Sequence, residues 1–435
     1  MTDIFTSDFR PEPYWWDATP PATVATGELP NRVDAVVVGA GYTGLHAALQ
    51  IARGGRRVAV LDAGAAGQGC STRNGGQVST SIKPGIAALT RRHGAETARR
   101  ILADGRASLD FTEAFIERED IDCGFERCGR FHAAHSARAF AGLERAARAL
   151  PEALRSSVRV VTREGQRAEI GSDRYQGGVV HEDHGALDPA RYHRGLSRRV
   201  AEAGAEVFAH TRATRIARSG GRFRVTTDRG LVEARDVVLA TNGYTGIASP
   251  TLSPWHRRRI VPVGSYVIAT EALPRALIEE IIPRGRVVSD TRRVVYYYRV
   301  SPDRRRLLFG GRVSAGESDP RRSAPLLHAE LLRLFPQLDG TRVSHSWMGL
   351  VGFSFDTLAH TGRHDGVHYA MAYCGSGVGM AGYLGMKTGL RVLGDPAAAT
   401  GLEATAFATR PLYRGRPWFL PSAVGTYRLL DRLGI

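Results

Sequence analysis

A largely apolar run at residues 33–38 predicts a buried strand. It passes through Gly39-Ala40-Gly41-Tyr42-Thr43-Gly44 into a helix-like segment ending at Gly54-Gly55, and a second apolar run at 58–61 stops at Asp62. Residues 95–118 and 136–150 are rich in Ala, Arg, Glu and Leu. With Leu102, Leu109, Phe111, Phe115 and Ile116 at helical spacing, they predict helices. Short β-like runs follow, notably at 177–181. Leu187-Asp188-Pro189 starts another helix, with Asp188 as N-cap and Pro189 at the first helical position, and that helix ends near Gly204. A strand at 206–209, a hairpin of 223–227 with 231–234, and a buried strand at 236–243 ending in a turn come next. From 260 to 312 the period shifts toward two, so 261–268, 294–298 and 307–309 read as strands of an antiparallel sheet. A helix around 325–335, glycine-rich segments and a helix around 378–393 close the chain. No internal repeat is evident.

At 435 residues the chain is long for one core, which predicts two interwoven domains. The formal charge of +16 raises a nucleic-acid reading. Nearly all the basic residues are Arg, with only Lys83 and Lys387 as lysines, and they run through the whole chain. That spread fits a solvated surface better than a polyanion site, so no nucleic-acid partner is expected, although 257–259 and 304–306 are local Arg clusters. Cys70, Cys123, Cys128 and Cys374 form no C-x-x-C pair and have no companion histidine spacing, so no metal is expected and the thiols read as free. The first residues carry acids and prolines where a signal peptide needs a basic start and an apolar run. Without a membrane-spanning stretch, no membrane partner is expected and a cytoplasmic location is the default. Tyr14-Trp15-Trp16-Asp17 with Pro20-Pro21 reads as an ordered extension laying aromatics on the body.

Three glycine-rich pieces carry the chemistry. In the first, Gly39 permits the tight turn after the strand, Gly41 lets the backbone approach a pyrophosphate, and Gly44 lets helix and strand pack closely. The helix N-terminus offers N–H groups to phosphates, and Asp62, 18 residues past Gly44, can hold adenosine ribose hydroxyls. The second piece runs from Gly67 to Gln77 and supplies backbone N–H groups and the Arg73 guanidinium, suited to pyrophosphate and ring oxygens. The third, Tyr373-Cys374-Gly375-Ser376-Gly377-Val378, again makes strand, glycine turn and helix, but has no acid downstream. Its helix dipole suits a second electron-rich group, or the turn is simply a close-packed start to a helix.

In this order the motifs resemble the D-amino acid oxidase-like superfamily of FAD-dependent oxidoreductases, and within it the γ-glutamylputrescine oxidase branch, over essentially the whole chain. The matching residues are Tyr14-Trp15-Trp16, the fingerprint with Asp62, Ser71 to Gln77, Val238 to Tyr244, Tyr297-Tyr298-Arg299 with Phe309-Gly310-Gly311-Arg312, and Gly375 to Val378. The resemblance implies an α/β fold: a Rossmann-like FAD-binding domain interwoven with an antiparallel-sheet substrate domain. FAD-binding pieces would span 1–86, 187–258 and 345–435, with substrate-domain pieces at 87–186 and 259–344. It implies a non-covalent FAD whose ADP half is held by Gly39, Gly41, Tyr42, Thr43, Gly44, Asp62 and Ala63, with the backbone at Ala213 near the adenine. Ser71, Arg73, Asn74, Gly75, Gly76 and Gln77 would line the flavin side, with Ala240, Thr241 and Gly243 nearby. Gly375, Ser376, Gly377 and Val378 would cap the isoalloxazine. Ser376 stands where many relatives carry His. Leu308 aligns with the lysine that the sarcosine-oxidase branch places near flavin N5, and the flavin-linking Cys of that branch has no counterpart.

The expected reaction is oxidation of a C–N bond in a small primary or secondary amine or amino acid: hydride to flavin N5, imine hydrolysis, and reoxidation by O2 to give H2O2. The alternatives are a dehydrogenase using another electron acceptor, or an enzyme trimming an aminomethyl group on tRNA. Residue types alone assign no obligatory base. Tyr266, Tyr297, Tyr298, Arg299 and Trp347 are candidates for lining the substrate pocket, each as well suited to packing. Arg299, if it faces that pocket, could clamp a substrate carboxylate, which favours an amino acid or γ-glutamyl-type amine; otherwise it is a surface or flavin-edge arginine.

Overall fold

Valine-rich Arg32–Val38 sits inside a parallel sheet, between Val58–Leu61 and Gly230–Leu239, with Glu206–Phe208 next to Val58–Leu61. In this computed structural model, which describes residues 4–22, 27–80, 82–150, 157–312 and 319–434, both faces of the sheet are covered. Val37, Val58 and Val60 meet one core, Val36, Val38, Ala59 and Leu61 another. Two-sided burial is why these strands read as continuous apolar runs and not as alternation. Val367–Met371 adds in parallel at the C-terminal end of Gly230–Leu239, paired in turn with His360–His364. Ala213–Ser219 and Arg222–Thr227 extend the sheet as an antiparallel meander. The first of these was not expected; its mixed exposure hides any period of two.

Helices Tyr42–Arg53 and Gly377–Leu393 lie against each other. A glycine stripe sets their distance. A Cβ on Gly385 would lie 2.4 Å from the Thr43 carbonyl oxygen, and one on Gly389 2.7 Å from that of Ala47. The buried Thr43 hydroxyl also meets the Tyr373 hydroxyl at 2.5 Å. Close packing therefore brings the N-termini of both helices to the same region of the sheet.

The second sheet has nine strands in the order Phe5–Arg10, Val343–Phe353, Val261–Thr270, Leu307–Gly311, Tyr297–Val300, Val287–Asp290, Arg130–Ala133, Gly178–His181 and Val158–Val161. It is antiparallel except where Phe5–Arg10 meets Val343–Phe353 and where Val287–Asp290 meets Arg130–Ala133. Two features depart from the sequence boundaries. The N-terminal strand belongs to this sheet and not to the dinucleotide-binding one, and Val343–Phe353 runs across the expected division at 344/345. Val343–Phe353 is buried almost throughout, so it offers no polar alternation to read. Helix Pro320–Leu334 covers one face of this sheet through Leu327, Leu331 and Leu334. No helix among the described residues is long and apolar enough to cross a membrane.

Candidate active site

A cavity of about 1740 Å³ runs from the fingerprint to the second sheet. At one end, Gly39 takes φ +108°, a conformation that favours glycine, and a Cβ there would press on the Ala240 carbonyl. Asp62 closes this end: its carboxylate accepts from the backbone N–H groups of Ala40 (2.7 Å) and Gly64 (3.0 Å). Burial pushes its pKa up, against the pull of those two amides. Helix Tyr42–Arg53 begins at Gly41 without a side-chain cap, and Ser71 accepts from the Tyr42 N–H at 3.0 Å. Gly41, Tyr42, Thr43, Ala63, Ala213, Ala240 and Thr241 share the lining. Gly44 and Gly243 sit behind it, where a Cβ would strike the carbonyls of Gly39 and Leu350.

The loop 67–77 forms the middle of the wall and is tied down from outside. Trp15 donates its indole N–H to the Asn74 carbonyl and Trp16 donates to the Thr72 hydroxyl, both at 2.9 Å. Arg73 stacks over Trp16 at 4.5 Å and donates to the carbonyls of Gln68 and Met348. Gln77 donates to the carbonyls of Val288 and Tyr298, fixing the loop to the second sheet. Ser71, Arg73, Asn74, Gly75 and Gln77 line the cavity; Gly76 packs behind it against the Leu187 carbonyl.

The third wall is a strained turn. Ala372, Cys374 and Gly375 take φ of +67°, +53° and +100°, and Asn242, itself at +40°, accepts the Ala372 N–H at 2.9 Å. Two non-glycine residues in the left-handed region, separated only by Tyr373, cost on the order of 1–3 kcal/mol each, a cost associated with functional turns. The turn aims the uncapped N-terminus of Gly377–Leu393, with Gly375, Ser376, Gly377 and Val378, at the cavity. At Gly375 a Cβ would point into open space bounded only by Lys83, at 3.8 Å.

The far end is the second sheet, and strand alternation decides which of its residues reach the cavity. One register row across the sheet holds His132, Ser289, Tyr297, Gly310, Val267 and Trp347. His132, Ser289 and Tyr297 line the cavity, and the Tyr297 ring lies over Gly310 with its hydroxyl 2.9 Å from Ser265. Four of the five expected pocket residues lie elsewhere. Tyr298 and Tyr266 point to the opposite face, into the core beneath Pro320–Leu334, because neighbours along a strand alternate sides. Trp347 lies on the cavity side but is roofed by Trp15, and donates to the Arg73 carbonyl at 2.9 Å. Leu308 lies under the same roof. Arg299 is not a clamp on the cavity: it donates to the carbonyls of Leu187 (2.8 Å) and Gly76 (3.3 Å) and stacks near Trp15.

Sequence reasoning passed over the rest of this chamber. Lys83, Arg130, His181, His184 and Arg312 line it, with Phe353 between Lys83 and Arg312. Arg130 donates to Ser289 at 2.9 Å and to Nδ1 of His132 at 3.2 Å. The same Nδ1 lies 2.9 Å from the Ser289 hydroxyl and 3.2 Å from the Ser289 carbonyl oxygen. Burial, aided by Arg130, holds His132 and His184 well below the ordinary histidine range and His181 at about 3. The one available signal was scarcity: Lys83 is one of two lysines in an arginine-rich chain.

An extended dinucleotide fits this arrangement. The cavity joins an acid that can take ribose hydroxyls, two uncapped helix N-termini and a glycine turn whose missing Cβ leaves room for a flat ring. Among the described residues no group of His, Cys, Asp or Glu could hold a metal ion.

Residues 34–389 match the family model for FAD dependent oxidoreductases (DAO). The chain is 32% identical to gamma-glutamylputrescine oxidoreductase of Escherichia coli, over 92% of this chain and 93% of that one. It is 30% identical to the probable oxidoreductase OrdL of Haemophilus influenzae, over 84% of each. Glycine oxidase from Geobacillus kaustophilus shares the fold, with a TM-score of 0.71 and 19% identity over 88% of this chain and 99% of that one. Fingerprint, cavity and relatives agree, and the chain belongs to the DAO family of FAD-dependent oxidoreductases.

Proposed function

We propose that this protein oxidises the C–N bond of a small primary or secondary amine or amino acid, with electrons leaving to O2, giving H2O2, or to another acceptor. Bound FAD supplies the two-electron acceptor. The observation that carries this reading is the charge of the chamber. Its three histidines are held neutral. Its two carboxylates are already engaged, Asp183 with Arg106 and Asp290 with Arg292. An ammonium entering there would meet cations and no open carboxylate among the described residues. The chamber therefore holds an amine in its neutral form, the form able to give up hydride. Tyr297, its ring packed against Gly310 and its hydroxyl held by Ser265, offers a wall against which the substrate carbon can be positioned. The name of the Escherichia coli relative points the same way, to an amine substrate.

Purified protein is expected to be yellow, and acid precipitation should release FAD into the supernatant; flavin remaining in the pellet would mean a covalent link. A panel of polyamines, N-methyl amino acids and D-amino acids, mixed with the protein without air, should bleach the flavin with at least one amine. The bleaching rate should rise about tenfold per pH unit below the amine's own pKa, since only the neutral fraction reacts. Bleaching by a hydroxy acid or alcohol and by no amine, or a rate independent of pH, would remove the C–N reading. Mixing the reduced protein with aerated buffer then tells oxygen from another acceptor by the reoxidation rate.

A further inference from the structure

We infer that Trp15 and Trp347 are positioning residues for the cofactor: through the loop 67–77 they aim two backbone amides, those of Asn74 and Gly75, at the flavin ring and raise its reduction potential. Three indoles grip three successive loop residues from outside the cavity. Trp16 donates to the Thr72 hydroxyl, Trp347 to the Arg73 carbonyl and Trp15 to the Asn74 carbonyl, each at 2.9 Å. Only the last two bonds reach the backbone, and they fix the planes of two consecutive peptide units. In a trans peptide the N–H points opposite to the carbonyl, and the described residues contain no cis bond. Holding the Arg73 carbonyl outward therefore turns the Asn74 N–H inward. Holding the Asn74 carbonyl outward does the same for the Gly75 N–H.

Inward is the cavity: Asn74 and Gly75 line it, and none of the three tryptophans does. Neither amide meets an acceptor among the described residues, whereas the N–H groups of Thr72, Arg73 and Gly76 are each bonded within the loop. The Asn74 side chain braces the same turn, donating to the carbonyls of Cys70 and Ser71. A Cβ on Gly75 would stand 3.1 Å from the Tyr297 ring, so the two donors adjoin the wall of the substrate chamber. Packing alone would ask only that each buried indole find some acceptor. It does not explain why residues 15 and 347 meet at consecutive carbonyls of one loop. Strand Phe5–Arg10 pairs with Val343–Phe353, which carries Trp347, and Trp15 joins Trp347 in one apolar cluster. Both rings are at most 1% exposed, so their N–H groups cannot turn to water instead. Donors oriented in advance by folding favour the form of the ring that carries more negative charge, which is the reduced one.

Reduction potentials of the FAD-loaded protein test this whatever the substrate. Trp15→Phe and Trp347→Phe each keep a ring and remove the donor. In each, the preference for reduced over oxidised FAD should fall about tenfold, which lowers the two-electron potential by about 30 mV. Trp16→Phe is the control: it removes a bond to a side chain only, and its potential should match the wild type whatever happens to its melting temperature. Benzothienylalanine at position 15 has the shape of tryptophan with sulfur in place of the N–H. It should reproduce the drop seen in Trp15→Phe, which separates the lost donor from lost volume. Dye-equilibrated potentials read the effect, with FAD dissociation constants and thermal melts measured alongside. A potential unchanged or raised in Trp15→Phe and Trp347→Phe, an equal drop in Trp16→Phe, or a wild-type potential with benzothienylalanine overturns the inference and leaves indoles that only pack.

Discussion

Replacing Gly44 with alanine should give a protein that neither folds stably nor retains FAD. The added Cβ would lie 1.8 Å from the Gly39 carbonyl oxygen and 3.1 Å from a Val37 methyl. The obstacle is backbone, so rotating a side chain cannot relieve it. Gly39 cannot yield either, because it is pinned between its own φ of +108° and the Ala240 carbonyl. Alanine would gain up to about 1 kcal/mol of helix propensity at this position. Overpacking costs about 1–3 kcal/mol when neighbours can shift, and more here because they cannot. The clash therefore wins, and it consumes much of the roughly 5–15 kcal/mol that holds a typical domain together. The control is Gly142→Ala, inside helix Ala137–Arg148 with nothing within 4 Å of the new Cβ. That variant should gain up to about 1 kcal/mol and keep its flavin. Thermal melts and the absorbance of purified flavin check both, and a yellow Gly44→Ala protein with an unchanged melting temperature would defeat the argument.

The same local mechanics explain what the sequence could reveal. Strand, glycine turn, helix and acid obey short-range rules, so the dinucleotide-binding unit was readable from spacing, and the wider fold class followed from the family resemblance that the order of the motifs carries. The helix at 95–118 was equally plain because its apolar face repeats over six turns. Tyr297 and Tyr298 show where such reading stops. They are neighbours of the same type, and only the way their strand is seated in the sheet, between 287–290 and 307–311, puts one in the chamber and the other in the core. Trp347 and Arg299 fail as pocket residues for a further reason: they face the right way, but the N-terminal Trp15 roofs that part of the sheet. Nothing near residue 347 announces a contact with residue 15. Lys83, Arg130 and Arg312 were passed over because they come together on one cavity wall only in the folded chain, a property of three-dimensional placement and not of any motif.

Asp62→Ala should weaken FAD binding by about 1.5–3 kcal/mol, a loss of roughly tenfold to 150-fold in affinity, while leaving the rest of the fold intact. In the wild type each carboxylate oxygen takes one backbone N–H, from Ala40 and from Gly64, and keeps further lone pairs for ribose hydroxyls. Removing the carboxylate orphans two amides and deprives the hydroxyls of a charged acceptor. The charge also has a pH signature whose sign follows from its surroundings. Burial raises the Asp62 pKa in the protein without ligand, so this group stabilises that form below the unfolded pKa and the contribution is lost as pH rises. Hydroxyl donors reverse the sense, because they favour the ionised carboxylate and lower its pKa on binding. FAD affinity should therefore fall as acid protonates Asp62 in the ligand-free protein, through a window beginning above the ordinary carboxylate value of about 3.9. In Asp62→Ala that part of the pH dependence should vanish, leaving a flatter curve at uniformly lower affinity. Fluorescence titration of FAD into the protein stripped of flavin, from neutral pH downward, measures both effects. Parallel curves for wild type and variant would show that Asp62 supports the loop without touching the cofactor.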